Sequence, residues 1–342
     1  MSEALVIALM FPPVPEPAVA QAVAAADPRI EVVWAPYIES ADLRSAKGRN
    51  AGRDPGGFDR PDLDDAARAA LGRAHAVVGI DLPAELVDLA PNLRWVQAVT
   101  AGSDHLDLET LGAAGVTVTH AGGIAAASIS EFVFARILQH AKHLRTLEAQ
   151  QAARLWEARF GTEIAGRSIG IVGLGAIGRA IARRARAFDM TVLASRASAR
   201  PGDTDPDVDE LFPADRLDDM IAGVDHLVLA LPATPDSVGL IDARRLALMR
   251  PGSMLINIAR GVHVVEADLI AALESGHLGA AALDVTHTEP LPADDPLWDA
   301  PNLYLSPHTS PSLDRYQEQV ISLAGDNARR LLDGQPLRNV VI

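Results

Sequence analysis

The chain has 342 residues, 49% of them hydrophobic and 22% charged. That is long enough for about two domains with substantial cores. There is no cysteine, which excludes a disulfide scaffold, a thiolate nucleophile and cysteine-ligated zinc. Lys and Arg number 30 against 45 Asp and Glu, a net charge of −15. A polyanion is repelled on average, and 4% aromatic residues offer little for base stacking, so nucleic acid is not an expected partner.

No apolar run reaches the ~18 residues that span a bilayer. The short apolar stretch ending at Met10 has Glu3 ahead of it and prolines after it, unlike a signal peptide. It reads as a first strand, with no membrane association and the cytoplasm as the default location. Residues 4–10, 30–34, 76–80 and 94–99 read as strands, separated by helical stretches such as 18–26 and 62–71, the latter opening at Pro61-Asp62. Residues 38–60 break the pattern, being polar and Gly-rich, with Arg44, Lys47, Arg49, Arg53 and Arg60 gathered in an acidic chain. Two readings stand: a solvated loop, or a mobile lid that brings positive charge toward an anionic substrate.

The run 124–154 has neither Gly nor Pro, and Ile129, Phe132, Val133, Ile137, Leu144 and Leu147 recur near helical spacing. This predicts one long helix linking two domains. Short apolar runs follow at 168–172, 190–194, 226–230, 253–258 and 280–284, each separated by a helix-length segment. A last helix over 313–332 ends near Gly334, placed to return to the first domain. Such alternation predicts an α/β chain with parallel sheets covered on both faces.

The run 168–172 leads into Gly173-Leu174-Gly175-Ala176-Ile177-Gly178 and an Ala-rich helix, the strand–G-x-G-x-x-G–helix order of a dinucleotide site. Gly173 permits the tight turn, Gly175 lets backbone amides approach a pyrophosphate, and Gly178 lets helix and strand pack closely. The helix N-terminus adds partial positive charge. An acidic residue at the end of the next strand would select NAD; here Ser195 and Arg196 stand there, with Arg200 beyond. A hydroxyl and a guanidinium suit a 2′-phosphate, favouring NADP(H) with NAD(H) possible. The alternative is that Arg196 lies over the adenine without reading a phosphate.

Arg260, Glu289 and His308 each fall just beyond the C-terminal end of a strand-like run, where α/β sheets bind ligands. Together with the glycine motif, Ala101-Gly102-Ser103-Asp104 and the terminal Pro336-Leu337-Arg338-Asn339, they make nearly the whole chain resemble the D-isomer-specific 2-hydroxyacid dehydrogenases, most of all the glyoxylate/hydroxypyruvate reductases.

The resemblance implies two Rossmann-like doubly wound domains: a cofactor domain at 121–309 inserted into a flavodoxin-like substrate domain formed by 1–120 and the returning helix in 310–342. It implies a hydride transferred between NAD(P)H and a small 2-oxo acid, and a homodimer in which the long helix is an interface element. Arg260 offers a planar fork of donors for the carboxylate and carbonyl oxygen. His308 gives a proton to that oxygen, and Glu289 favours its imidazolium. His287 lacks the Pro-His context and is not assigned a role. The resemblance also places the amides of Ala101 and Gly102 at the substrate carboxylate and Asp284 at the nicotinamide carboxamide. Pro232, Thr234, Ala176, Ile177 and Ile258 then line the cofactor. A structural alternative for Asp284 is a carboxylate capping local amides.

Two departures stand out: Val265 replaces a capping acid before Glu266, and His120 stands where Asn is common. A rival reading is a dinucleotide-sensing, corepressor-like interaction protein of the same fold. Formate oxidation is a third, but there a Gln replaces the glutamate, and Glu289 argues against it. Substrate and cofactor are both anions, so binding in this acidic chain depends on local positive features: Arg260, Arg196 and the helix after Gly175.

Overall fold

The computed structural model describes residues 4–11 and 17–342; the Glu3 part of the N-terminal reading lies outside them. The chain divides into two compact units, one of residues 1–124 and 313–342, the other of 125–312.

In the first unit, strands β1 (Leu5–Met10), β2 (Ile30–Trp34), β3 (Ala76–Gly79), β4 (Trp95–Ala98) and β5 (Thr117–Thr119) form a parallel sheet of order β2-β1-β3-β4-β5. This is the flavodoxin-like order. The central strands are buried throughout, as expected where both faces are covered. Successive residues serve opposite cores: Val77 and Val96 pack with Leu71 and Leu86 on one face, while Val78 and Trp95 pack with Ile7, Ala324 and Ala328 on the other. The last two belong to the helix Tyr316–Leu332, whose Asn327 also donates to Gln97 Oε1 at 3.0 Å.

In the second unit, β6 (Ser168–Val172), β7 (Thr191–Ser195), β8 (Glu210–Phe212), β9 (His226–Leu229), β10 (Met254–Asn257), β11 (Ala280–Leu283) and β12 (Leu303–Leu305) make a parallel sheet. Its order, β12-β11-β10-β9-β6-β7-β8, reverses direction between β6 and β9, the crevice where doubly wound sheets bind ligands. The fold is therefore α/β and doubly wound twice over. Among the described residues, no helix is long and apolar enough to cross a membrane.

The structure corrects several sequence expectations. The predicted single helix over 124–154 is two, Ala126–Ala141 and Leu144–Ala152, broken at His143, whose φ is 54°. The break comes from packing rather than propensity. Thr162 donates its amide to the carbonyl of Ala141 at 2.8 Å, Lys142 Nζ bonds the carbonyl of Thr162 at 2.9 Å, and the chain at Gly161 passes so close that a Cβ would lie 2.5 Å from Ala141 O. Both helices lie within the second unit. The helix predicted from Pro61-Asp62 starts at Asp65, because Asp64 caps it by accepting the Ala67 amide at 2.7 Å. Beyond Met190, the strand runs Thr191–Ser195, one residue later than expected, leaving Arg196 as the first residue past its end.

Residues 38–60 are neither a bare loop nor a charged lid. Ser40 caps a helix, Ala41–Arg49. Lys47 is buried and bonds both oxygens of Glu39 at 2.7 and 3.0 Å; Arg44 forks onto the buried Asp81 at 2.6 Å. Arg53 pairs with Glu109 and Arg60 with Asp54. Arg44, Lys47, Arg53 and Arg60 thus serve internal ion pairs within their own unit, and Arg49 bonds Ser45 Oγ at 2.7 Å. At the other departures, Val265 leaves the helix Glu266–Glu274 without a side-chain cap, and His120 Nδ1 accepts the Gly122 amide at 2.7 Å.

The buried His226 of β9 makes a pH prediction. Burial, opposed by the charge of Asp225 and reinforced by His140 and Arg167, lowers its imidazole to about 4. The unfolded chain therefore binds the proton first. The neutral imidazole's contribution to stability is complete above pH 6.5 and lost as pH falls from there toward 4. Between pH 7 and 5 the loss from this one group is about 2 kcal/mol. We expect His226→Leu to flatten the pH dependence of the unfolding free energy, measured with urea, by about that amount; equal acid lability in both proteins would refute the assignment.

Candidate functional site

Gly173 ends β6 with φ 102°, and a Cβ there would sit 2.5 Å from the carbonyl of Ala230. Its amide donates to the carbonyl of Ser195 at 2.8 Å, tying the turn to the end of β7. Gly178 lies against the turn itself, since a Cβ would come within 2.1 Å of Gly173 O. Gly175 is different: it precedes the helix Ala176–Ala187, is exposed, and a Cβ there meets nothing within 4 Å. Ala176 and Ile177 form the helix's first turn, so free backbone amides border open space. Nearby, Arg196 Nε is buried without a hydrogen-bond partner. An anion-binding cradle and an unsatisfied guanidinium donor are what a nicotinamide dinucleotide needs, so the residues fit that group.

The other cofactor candidates line the same edge of the sheet. Ser195 is the buried last residue of β7. Pro232 and Thr234 lie past β9, where the Thr234 amide bonds Ser237 Oγ at 2.8 Å in a capping box. Ile258 follows β10 and is buried. Ala101 and Gly102 lie in the first unit beyond β4, where Thr100 Oγ1 donates to the carbonyl of Gly102 at 2.7 Å.

The three predicted side chains all belong to the second unit, beyond β10, β11 and β12. His308 Nδ1 is 3.0 Å from Glu289 Oε2, while the Thr286 amide donates to Glu289 Oε1 at 3.1 Å. Burial opposes the Glu289 charge, but the hydrogen bond and charge of His308, the Thr286 amide and the charge of Arg260 hold its carboxyl below the usual range. An ionised carboxylate only accepts, so Nδ1 carries the hydrogen and Nε2 is left for a substrate. Arg260 is part-buried and donates from Nη1 to its neighbour's carbonyl at 2.8 Å. Gly261 must be small, because a Cβ would lie 2.0 Å from the backbone of Thr286, in the loop that carries Glu289. His287 is exposed, and its amide bonds Glu266 at 2.7 Å.

Asp284 takes the capping arrangement rather than an open one. Only 1% exposed, it accepts Ser306 Oγ and the Thr309 amide at Oδ1, at 2.7 and 2.9 Å, and the Ser310 amide at Oδ2, at 3.0 Å. Its own carbonyl accepts the His308 amide at 2.8 Å. His308 stands at φ 55°, an uncommon left-handed position for a residue with a side chain, and these bonds fix it there. Asn257, not singled out from sequence, does the same for Arg260: its Nδ2 bonds the Arg260 carbonyl at 2.8 Å and its Oδ1 accepts the Ala259 amide at 3.0 Å. An Asn closing an otherwise apolar strand, Met254-Leu255-Ile256-Asn257, was the available signal.

A glycine cradle at the switch point of a doubly wound sheet, with an Arg–Glu–His set at neighbouring strand ends, defines a dinucleotide-dependent dehydrogenase. The sequence profile of the D-isomer specific 2-hydroxyacid dehydrogenase NAD binding domain matches residues 134–310, and the chain belongs to that family. It is 33% identical over 291 residues to glyoxylate/hydroxypyruvate reductase B of Yersinia pestis, covering 82% of this chain and 88% of that one. A D-isomer specific 2-hydroxyacid dehydrogenase family protein from Aeromonas salmonicida is similar in structure, with a TM-score of 0.77, 30% identity and 99% coverage of both chains. An NADPH-dependent glyoxylate/hydroxypyruvate reductase from Sinorhizobium meliloti, solved with NADP and sulfate, has a TM-score of 0.73 at 28% identity, covering 99% of this chain and 98% of that one.

Proposed function

We propose that the chain is an NADPH-preferring reductase of small 2-oxo acids, with glyoxylate and hydroxypyruvate as the leading substrates. The observation that carries this reading is the His308–Glu289 pair, oriented at both carboxylate oxygens. The named relatives support the substrate class. When bound, the reduced nicotinamide supplies the hydride. Arg260 binds the substrate's carboxylate and polarises its carbonyl oxygen, with a guanidinium that cannot lose its charge. His308 delivers the Nε2 proton to that oxygen as the carbonyl carbon is reduced. Glu289 stabilises the imidazolium before transfer, and the half-exposed ring takes its next proton from solvent.

Arg196, the first residue beyond β7, supports NADPH over NADH. With glyoxylate in excess, we expect a higher kcat/KM for NADPH; equal values, or a higher one for NADH, would sink the cofactor preference.

The proposal extends to a homodimer. Leu155, Trp156 and Phe160 are exposed on a segment without regular structure, Trp156 completely, and large exposed apolar side chains close together mark an interaction surface. Sedimentation velocity should show a dimer that Trp156→Ala with Phe160→Ala weakens; a monomeric wild type contradicts this.

A further inference from the structure

Beyond β7 lies a charge cluster that an arginine reading a 2′-phosphate leaves unexplained. The Asp205 side chain is 6% exposed. It accepts the two terminal nitrogens of Arg179 at 2.8 and 2.7 Å and the Asp207 amide at 3.1 Å. Asp207 accepts from Arg179 at 3.1 Å and lies 3.5 Å from Arg183. Arg196 is placed differently: its Nη1 is 3.8 Å from Asp205 Oδ2, too long for a hydrogen bond, and its Nε has no partner. Asp205 is thus fixed by Arg179 and holds a negative charge beside a guanidinium whose hydrogen-bonding capacity is largely unused.

We propose that Asp205 is a specificity-determining residue for the cofactor: a fixed counter-charge that weakens capture of a 2′-phosphate by Arg196 and so sets how strongly NADP(H) is distinguished from NAD(H). The inference rests on the cofactor reading above. A phosphate pairing with Arg196 comes near the Asp205 carboxylate, and the repulsion is what remains of that charge after its fork with Arg179. Arg179 cannot answer the extra charge, because its fork is already closed on Asp205. NAD(H), with a hydroxyl in place of the phosphate, meets neither the attraction nor the repulsion. Arg196 is 34% exposed while Asp205 is buried, so salt screens the interaction only in part.

Titration calorimetry with NADP⁺ and NAD⁺ tests this on binding alone. Asp205→Asn keeps the side chain's size and one acceptor for Arg179 while removing the charge. The Kd for NADP⁺ should fall roughly three- to tenfold at low salt, with a smaller gain at high salt and little change for NAD⁺. Asp205→Ser, as a second variant, should shift the ratio in the same direction, and Asp207→Asn should shift it less. If both Asp205 variants leave the NADP⁺/NAD⁺ ratio unchanged, or move it toward NAD⁺, the role is overturned. A wild type that binds NAD⁺ more tightly defeats the NADP preference alone, since a shift toward NADP⁺ in Asp205→Asn still supports the counter-charge.

Discussion

Replacing His308 should lower turnover by about 10²–10⁴, the range typical of a lost general acid, with little change in cofactor affinity. The choice of substitution matters, because His308 stands at φ 55°. Histidine and asparagine are enriched in that left-handed region and alanine is not, so His308→Ala risks loosening the 306–310 loop as well. Asparagine tolerates the conformation, and the amide that bonds the Asp284 carbonyl is common to both variants. His308→Asn should therefore keep the wild-type melting temperature and still lose turnover. Wild-type turnover in the Asn variant would remove His308 from proton transfer.

The second large effect is at Gly175. Its φ of −85° and ψ of −160° are open to any residue, and a Cβ there touches nothing in the protein. Gly175→Val should leave the melting temperature close to wild type. A bound pyrophosphate would meet the added side chain. At the ~1–3 kcal/mol usual for overpacking a filled site, cofactor Kd should rise about 5- to 150-fold. The neighbouring glycines lack this selectivity. A Cβ on Gly173 or Gly178 collides with backbone, at 2.5 and 2.1 Å, so those variants damage fold and site together. Unchanged cofactor affinity in Gly175→Val would place the dinucleotide elsewhere.

Much of the fold was legible because a parallel strand covered on both faces must be nearly continuous in apolar residues. The run Ser168–Val172, buried throughout, could hardly be read otherwise, and its observed bounds are the expected ones. The candidate site was legible for a related reason: residues just past the C-terminal ends of such strands are where ligands bind. What escaped depends on partners distant in sequence. The break at His143 is made by residues 161–162, and no local signal of Gly or Pro announces it. The basic segment around Arg44 and Lys47 left loop and lid both open because Asp81, which holds Arg44, lies 37 residues away. Asp205 carries no local signal, since its importance rests on Arg179, 26 residues earlier. For Asp284 the sequence left a cofactor role and a capping role side by side; the three donors it accepts come from Ser306, Thr309 and Ser310, more than twenty residues on.

The acidic chain and its anionic ligands are reconciled locally. Arg60, Arg53, Arg44 and Lys47 are neutralised by carboxylates within their own unit, and Arg179 by Asp205. In the proposed function, Arg196, the amides at the start of the helix Ala176–Ala187 and Arg260 would supply the positive character toward a dinucleotide and an oxo acid. Against a net charge of −15, affinity for both ligands would then be set by these few groups rather than by long-range steering.

The most direct test is the reaction itself: NADPH mixed with the protein and a panel of small 2-oxo acids, following loss of the reduced nicotinamide and resolving the enantiomers of each chiral product. The account predicts consumption of one NADPH per hydroxy acid formed, fastest with glyoxylate or hydroxypyruvate, and the D-enantiomer wherever the product is chiral. No consumption across the panel, or formation of the L-enantiomer, would contradict it.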